Sequence, residues 1–318
     1  MPLLALRLLR LYVPLVGWIG LGWVLGRVLP RSIPNGLGKF LYWVGVPISV
    51  VGFLRQADLS GAVWMAPVVA WGAILLGLAC VWLWIQWEVK WRSPLPPPTQ
   101  LHHASTQGSL LLAAMVGNTG YLGFPIVLSL VGVSYFGWAI FYDMGGTLFG
   151  AYGLGALLAS RYGKGGRSLR ALTAALLINP TLWSFPLGLL IQPLPLAPWL
   201  DSALKDSAWG SLTLALILIG MRLSQLSAWK HIHWVSISLG IKMLVAPLFL
   251  GALLTVLGIE GAPRLVMVLQ MAMPPAFATL VLAEAFDLDP EIAVTAIAMG
   301  TIGLLLLLPL WLWLFPVA

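Results

Sequence analysis

The chain has 318 residues, 60% of them hydrophobic and 8% charged, with a formal net charge of +7. So few charges cannot cover a water-exposed globular surface, which excludes an ordinary soluble enzyme or binding domain and makes lipid the expected solvent. The bases lie between hydrophobic segments, so they point to membrane topology and anionic lipid headgroups, not to nucleic acid.

A hydrocarbon core of ~30 Å takes ~20 mostly apolar residues per helix. The length therefore accommodates about ten spans with short loops and no soluble domain. Long apolar runs without period-2 alternation select helices over a closed barrel. In chain order the expected spans are 8–29, 35–55, 62–87, 104–131, 135–159, 171–192, 203–222, 234–257, 263–286 and 291–315. The first follows Arg7 and Arg10 and resembles a signal peptide; without a small-residue cleavage site it reads as a retained helix. Connections carry Pro, Gly or charge, as in 31–36 and in 90–98 with its stiff Pro96-Pro97-Pro98 run. Cys80, in an apolar run, reads as a packing residue.

Alternating the ten spans places Arg27, Arg31, Lys39, Lys90, Arg92, Arg161, Lys164, Arg167, Arg170, Arg222 and Lys230 on one face. Arg7, Arg10, Arg55, Lys205 and Arg264 fall on the other, and Lys242 is left inside a span. The eleven-to-five bias assigns the first face to the cytoplasm and both termini to the outside of a cytoplasmic, inner-type membrane. Tryptophans gather at span ends, as at Trp82, Trp84, Trp87 and Trp91, which is the pattern of an interfacial belt.

Spans 4 and 9 carry helix-breaking chemistry near their middles. Span 4 reads Gly117-Asn118-Thr119-Gly120-Tyr121-Leu122-Gly123-Phe124-Pro125, and span 9 reads Gln270-Met271-Ala272-Met273-Pro274-Pro275-Ala276-Phe277-Ala278-Thr279. Proline removes an amide donor and clashes with the preceding turn, and glycine lowers the cost of unwinding. Backbone opened at that depth is tolerated where it is buried in protein or lines a polar cavity. The freed amides and helix dipoles can then hold an anion, and the freed carbonyls a cation or proton donor. A simple proline kink explains either break alone. Their correspondence, in the fourth helix of each five-helix half, argues for more. Five is odd, so two related halves, 1–160 and 161–318, must be inverted repeats.

Asp143 is the acidic residue lying well inside a span, where a charge costs at least ~2.5 kcal/mol. It reads as a proton or cation site, as a group holding helix 4, or as packing glue. Lys242, about two turns into span 8, either snorkels to the cytoplasmic face or neutralises a carboxylate or anionic solute. Pro247 and Asn179-Pro180 read as helix bends. The histidines His102, His103, His231 and His233 map to cytoplasmic loops or helix starts; neither His-Glu-x-x-His nor a phosphate-cradling Gly-x4-Gly-Lys-Ser/Thr occurs. No metal or cofactor is expected, and no nucleophile is paired with a helix-borne base, so the chain does not read as an enzyme.

The span 4 motif, followed by Pro274-Pro275-Ala276 and by Leu282-Ala283-Glu284-Ala285-Phe286-Asp287-Leu288-Asp289-Pro290-Glu291, resembles the auxin efflux carrier family. That family includes the plant PIN-FORMED carriers and bacterial permeases proposed to move malate or malonate. The resemblance implies an all-α crossover fold of the bile-acid/sodium symporter kind. In it, unwound parts of helices 4 and 9 cross in a mobile transport part (helices 3–5 and 8–10) that moves elevator-like against a scaffold (helices 1, 2, 6 and 7). It also implies a homodimer through scaffold helices. By motif position, Asn118 and the breaks at Pro125 and Pro274-Pro275 border the substrate site. The loop between halves, long in the plant carriers, is here about residues 161–170, and span 9 is less polar around its prolines. The implied substrate is a small organic anion rather than auxin.

The reading is a secondary carrier, most naturally an exporter, of a small organic anion such as a carboxylate. Candidate substrate-binding residues are Asn118, Thr119, Gly120, Gly123, Pro125, Gln270, Pro274, Pro275, Ala276 and Thr279, and candidate coupling residues are Asp143 and Lys242. An anion channel or a non-transporting membrane sensor on the same fold are the rivals.

Overall fold

A computed structural model describes residues 2–92, 100–164, 174, 176–225 and 231–317. The Pro96-Pro97-Pro98 run, Arg167, Arg170 and Lys230 lie outside the described residues, as does the start of the expected sixth span.

Those residues are helical and contain no named strand. In order they form α1 (Pro2–Val28), α2 (Ser32–Leu54), α3 (Met65–Trp91), α4 (Ala104–Met115), α5 (Thr119–Leu130) and α6 (136–162). There follow α7 (Pro180–Ile191), α8 (Pro198–Gln225), α9 (Ile232–Val256), α10 (Gly261–Met271), α11 (Phe277–Ala285) and α12 (Pro290–Leu314). Among the described residues α2, α3, α8, α9 and α12 are each long and apolar enough to cross a membrane; residues 12–28 of α1, α5 and α7 are shorter apolar helices. Large apolar side chains such as Val256, Leu306, Leu190 and Trp313 stand exposed on the helices, as a lipid-facing surface requires. The protein is an all-helical, multi-pass membrane protein.

Several helices take up an extra residue in a π-turn: Leu41–Gly45 in α2, Ile241–Val245 in α9, and Asp143–Leu148 and Gly150–Gly155 in α6. Such turns recur at functional sites because they re-aim the side chains beyond them. Asn179 interrupts a helical run: residues 176–178 are helical before it, and its side chain accepts the Thr181 amide at 3.0 Å and starts α7 with Pro180 in the first turn. Asp289 does the same for α12, accepting the amides of Glu291 at 3.1 Å and Ile292 at 3.4 Å. Pro247 directly follows the π-turn of α9, and the helix runs on past it to Val256.

The chain forms two compact units. One comprises Met1–Val63, Gly120–Ile140 and Ile178–Ser227. Within it α1 and α8 touch backbone to backbone: a Cβ on Gly22 would stand 2.0 Å from the Ile217 carbonyl oxygen, and one on Gly220 2.0 Å from that of Ile19. Small residues permit this approach, which gives dispersion and close packing where lipid removes the hydrophobic drive. Phe53 packs against Phe136 and Trp209, and Arg55 pairs with Asp201 at 2.7 Å.

The second unit comprises Trp64–Thr119, Phe141–Leu177 and Ala228–Ala318. Gly77 of α3 lies against the Ala114 carbonyl of α4, and Gly146 of α6 against Ala70 of α3. The Trp71 indole donates to the Gly145 carbonyl at 3.0 Å. Ser109 of α4 donates to the Asp289 carbonyl at 2.7 Å, and Ser238 of α9 to the Leu110 carbonyl at 3.0 Å. These side-chain bonds hold α4 between α9 and the start of α12.

Candidate functional site

Inside the second unit the chain opens twice. Span 4 leaves its helix after Met115, with Val116 extended at φ −101 and ψ 110, and turns helical again at Thr119. Span 9 leaves its helix after Met271 and resumes at Phe277, with Ala276 extended at φ −74 and ψ 153. The two open stretches run antiparallel. The Asn118 amide donates to the Pro274 carbonyl at 2.7 Å, the Ala276 amide donates to the Val116 carbonyl at 3.1 Å, and Gly117 faces Pro275 between them. Each break thus satisfies part of the other's freed backbone, which is why both survive away from water. The C-terminal ends of α4 and α10 and the starting turn of α11 converge here, bringing opposite dipole ends together.

Around this crossing lies a small cavity of about 10 Å³, room for about one water molecule. Its walls come from α3 (Ala73), α4 and the first break (Ala114, Met115, Gly117, Thr119), α6 (Tyr142, Thr147), α9 (Lys242, Ala246) and α10 (Gln270, Met271). A solute larger than water binds here only after these walls move.

Lys242 does not snorkel. It is 6% exposed, and a Cβ on Gly117 would stand 3.4 Å from its ammonium nitrogen. Among the described residues that ammonium has neither a hydrogen bond nor an ion pair, and the same holds for hydrogen bonds of the Tyr142 hydroxyl, on a residue 3% exposed. The Asn118 side-chain amide, 5% exposed, is likewise without a side-chain partner among them. Buried polar groups are normally hydrogen-bonded, and an unpaired buried charge is costlier still, so three such groups beside one crossing call for a function. Asp143 by contrast is engaged: it accepts the Thr119 hydroxyl.

The sequence profile of a family described as membrane transport protein matches residues 166–312. An uncharacterized transporter of Methanothermobacter thermautotrophicus is 30% identical over 294 residues, 91% of each chain. An uncharacterized transporter of Methanocaldococcus jannaschii is 28% identical over 215 residues, 65% of this chain and 68% of its own. The chain belongs to the membrane transport protein family that includes the auxin efflux carriers. It is a membrane transporter and not an enzyme.

In this auxin efflux carrier relative the residues singled out from sequence fall into three groups. Asn118, Pro274, Pro275 and Ala276 make the crossing itself, and Thr119, Gln270 and Lys242 line the cavity. Thr279 is buried in the first turn of α11, where its hydroxyl donates to the Ala276 carbonyl at 2.7 Å. Gly120, Gly123 and Pro125 belong to the other unit. The chain does not open at Pro125: α5 runs on unbroken from Thr119 to Leu130, with the proline just after the π-turn Thr119–Gly123. Sequence reasoning missed Ala73, Tyr142 and Thr147. For Tyr142 the signal was its place beside the intramembrane Asp143; for Ala73 there was none.

Proposed function

We propose that the protein is a secondary carrier of a small organic anion, such as a carboxylate, working by alternating access across the cytoplasmic membrane. The observation that carries the reading is the antiparallel crossing of two opened backbones beside a buried, unpartnered ammonium. An anion fits because Lys242 supplies the opposite charge, while the Asn118 side-chain amide supplies a neutral donor. Asp143, hydrogen-bonded at the foot of α5, is the proposed coupling group.

The reading includes ten spans in two inverted five-helix repeats, 1–160 and 161–318, with both termini outside and a dimer through the scaffold helices. Its support is the matching placement of parts. The third span of each half walls the cavity through Ala73 and Lys242, and the fourth span of each half opens at the crossing. The fifth span of each half backs it, Tyr142 in one and Gly300 against the prolines in the other. Elevator motion of the crossing-bearing unit accords with the opened segments' being tied to each other.

The test is counterflow in proteoliposomes preloaded with a labelled small carboxylate. A carrier gives saturable uptake that is accelerated by unlabelled acid on the other side. Single-channel conductance steps would replace the carrier with a channel, and absence of any carboxylate flux would end the reading.

A further inference from the structure

Resting on the carrier reading, we infer that Lys242 and Tyr142 together form a clamp for one carboxylate group and that the solute is a monoanion. Both side chains wall the same cavity, both are more than nine-tenths buried, and neither has a hydrogen-bond partner among the described residues. One is a cation with three N–H donors and the other a neutral O–H donor, a pairing that can serve a carboxylate's two oxygens. The backbone makes room opposite: Gly117 presents no side chain, and a Cβ there would come within 3.4 Å of the ammonium.

Charge sets the substrate class. Among the described residues the cavity wall contains one cation, Lys242, and no carboxylate; Asp143 is not among its residues and accepts from Thr119. A single carboxylate cancels the ammonium and leaves a neutral buried pair. A second carboxylate on the same solute would remain unpaired away from water, which the low-dielectric surroundings penalise. The π-turn Ile241–Val245 is the device that makes the clamp: the added residue in that turn alters the register in which Lys242 leaves α9. Tyr142 occupies the last position before the π-turn Asp143–Leu148 in α6, so both donors stand at places where the regular helix is interrupted.

The experiment compares butyrate with succinate, which have the same carbon count and differ by one carboxylate, in calorimetric titration and thermal-shift assays of the purified full-length protein. Wild type is expected to bind butyrate at least about tenfold tighter than succinate, because the second carboxylate stays unpaired. Lys242→Gln should weaken butyrate about 30-fold or more, and Tyr142→Phe about tenfold. Lys242→Arg, which keeps the charge, should retain part of the response. Equal or tighter binding of succinate by wild type overturns the proposal, and this comparison needs no variant to fold. So does unchanged butyrate affinity in a monodisperse, helical Lys242→Gln protein. The two readings fail differently: vesicles that move no carboxylate end the carrier reading, whereas vesicles that move carboxylates with variants binding as wild type end the clamp alone.

Discussion

The Asn118 amide lies 2.7 Å from the Pro274 carbonyl, joining two residues 156 positions apart in the chain through one backbone hydrogen bond. This bond, with its companion from Ala276 to Val116, determines what can be expected of substitutions at the crossing.

Replacing both prolines of the second break by alanine restores two amide donors and removes the clash that keeps span 9 open. Each proline disfavours helix by about 3 kcal/mol, so Pro274→Ala/Pro275→Ala is expected to close the gap between α10 and α11. Counterflow should fall to background while the thermal midpoint stays level or rises. A variant that transports as wild type would show that the prolines do not maintain the opening.

Gly300 of α12 backs the crossing. An added Cβ would stand 2.9 Å from Pro274 Cβ and 3.0 Å from Pro275 Cδ, and neither ring can yield without moving the break. Gly300→Ala should cost about 1–3 kcal/mol and reduce transport. Gly303→Ala, on the same helix with nothing within 4 Å, is the control and should be neutral in both measurements.

Lys242 is buried without a partner, so its removal relieves the empty protein. Lys242→Met should raise stability, by about 1–4 kcal/mol if it follows the range for buried ion pairs replaced by apolar residues, and should abolish carboxylate transport. Opposite signs in melting and flux assays are the signature of a binding residue that is costly at rest. A fall in both would mark the lysine as a structural element.

Thr119 donates to Asp143 where the first opened stretch becomes helical. Thr119→Val leaves that carboxyl without its donor and should cost about 1–3 kcal/mol. Asp143→Asn keeps an acceptor but cannot take up or release a proton. Its flux is expected to lose the pH dependence of wild type; an unaltered pH profile would exclude Asp143 as the coupling group.

Much of this architecture was legible because breaking a helix in lipid demands particular residues. Gly117 and the Pro274-Pro275 pair announced both openings, and the long apolar runs announced the helices. Pro125 misled because a π-turn before it lets the helix run on past the proline, and that turn was not visible in the sequence. Nor were the π-turns in α6 and α9, since an inserted residue alters neither composition nor hydropathy. Asn179 reads as a helix break in the sequence, and its role as the cap of α7 depends on where the helical residues before it stop. Lys242 left two readings open, a headgroup anchor or an interior charge. Only its burial in the folded chain, with Gly117 beside its ammonium, selects the second.

The paired backbone bonds between residues 116–118 and 274–276 have a mechanical corollary. Two segments from opposite halves of the chain are fastened like the links of a clasp, so on the carrier reading a shift of either is expected to carry its counterpart along as a single piece.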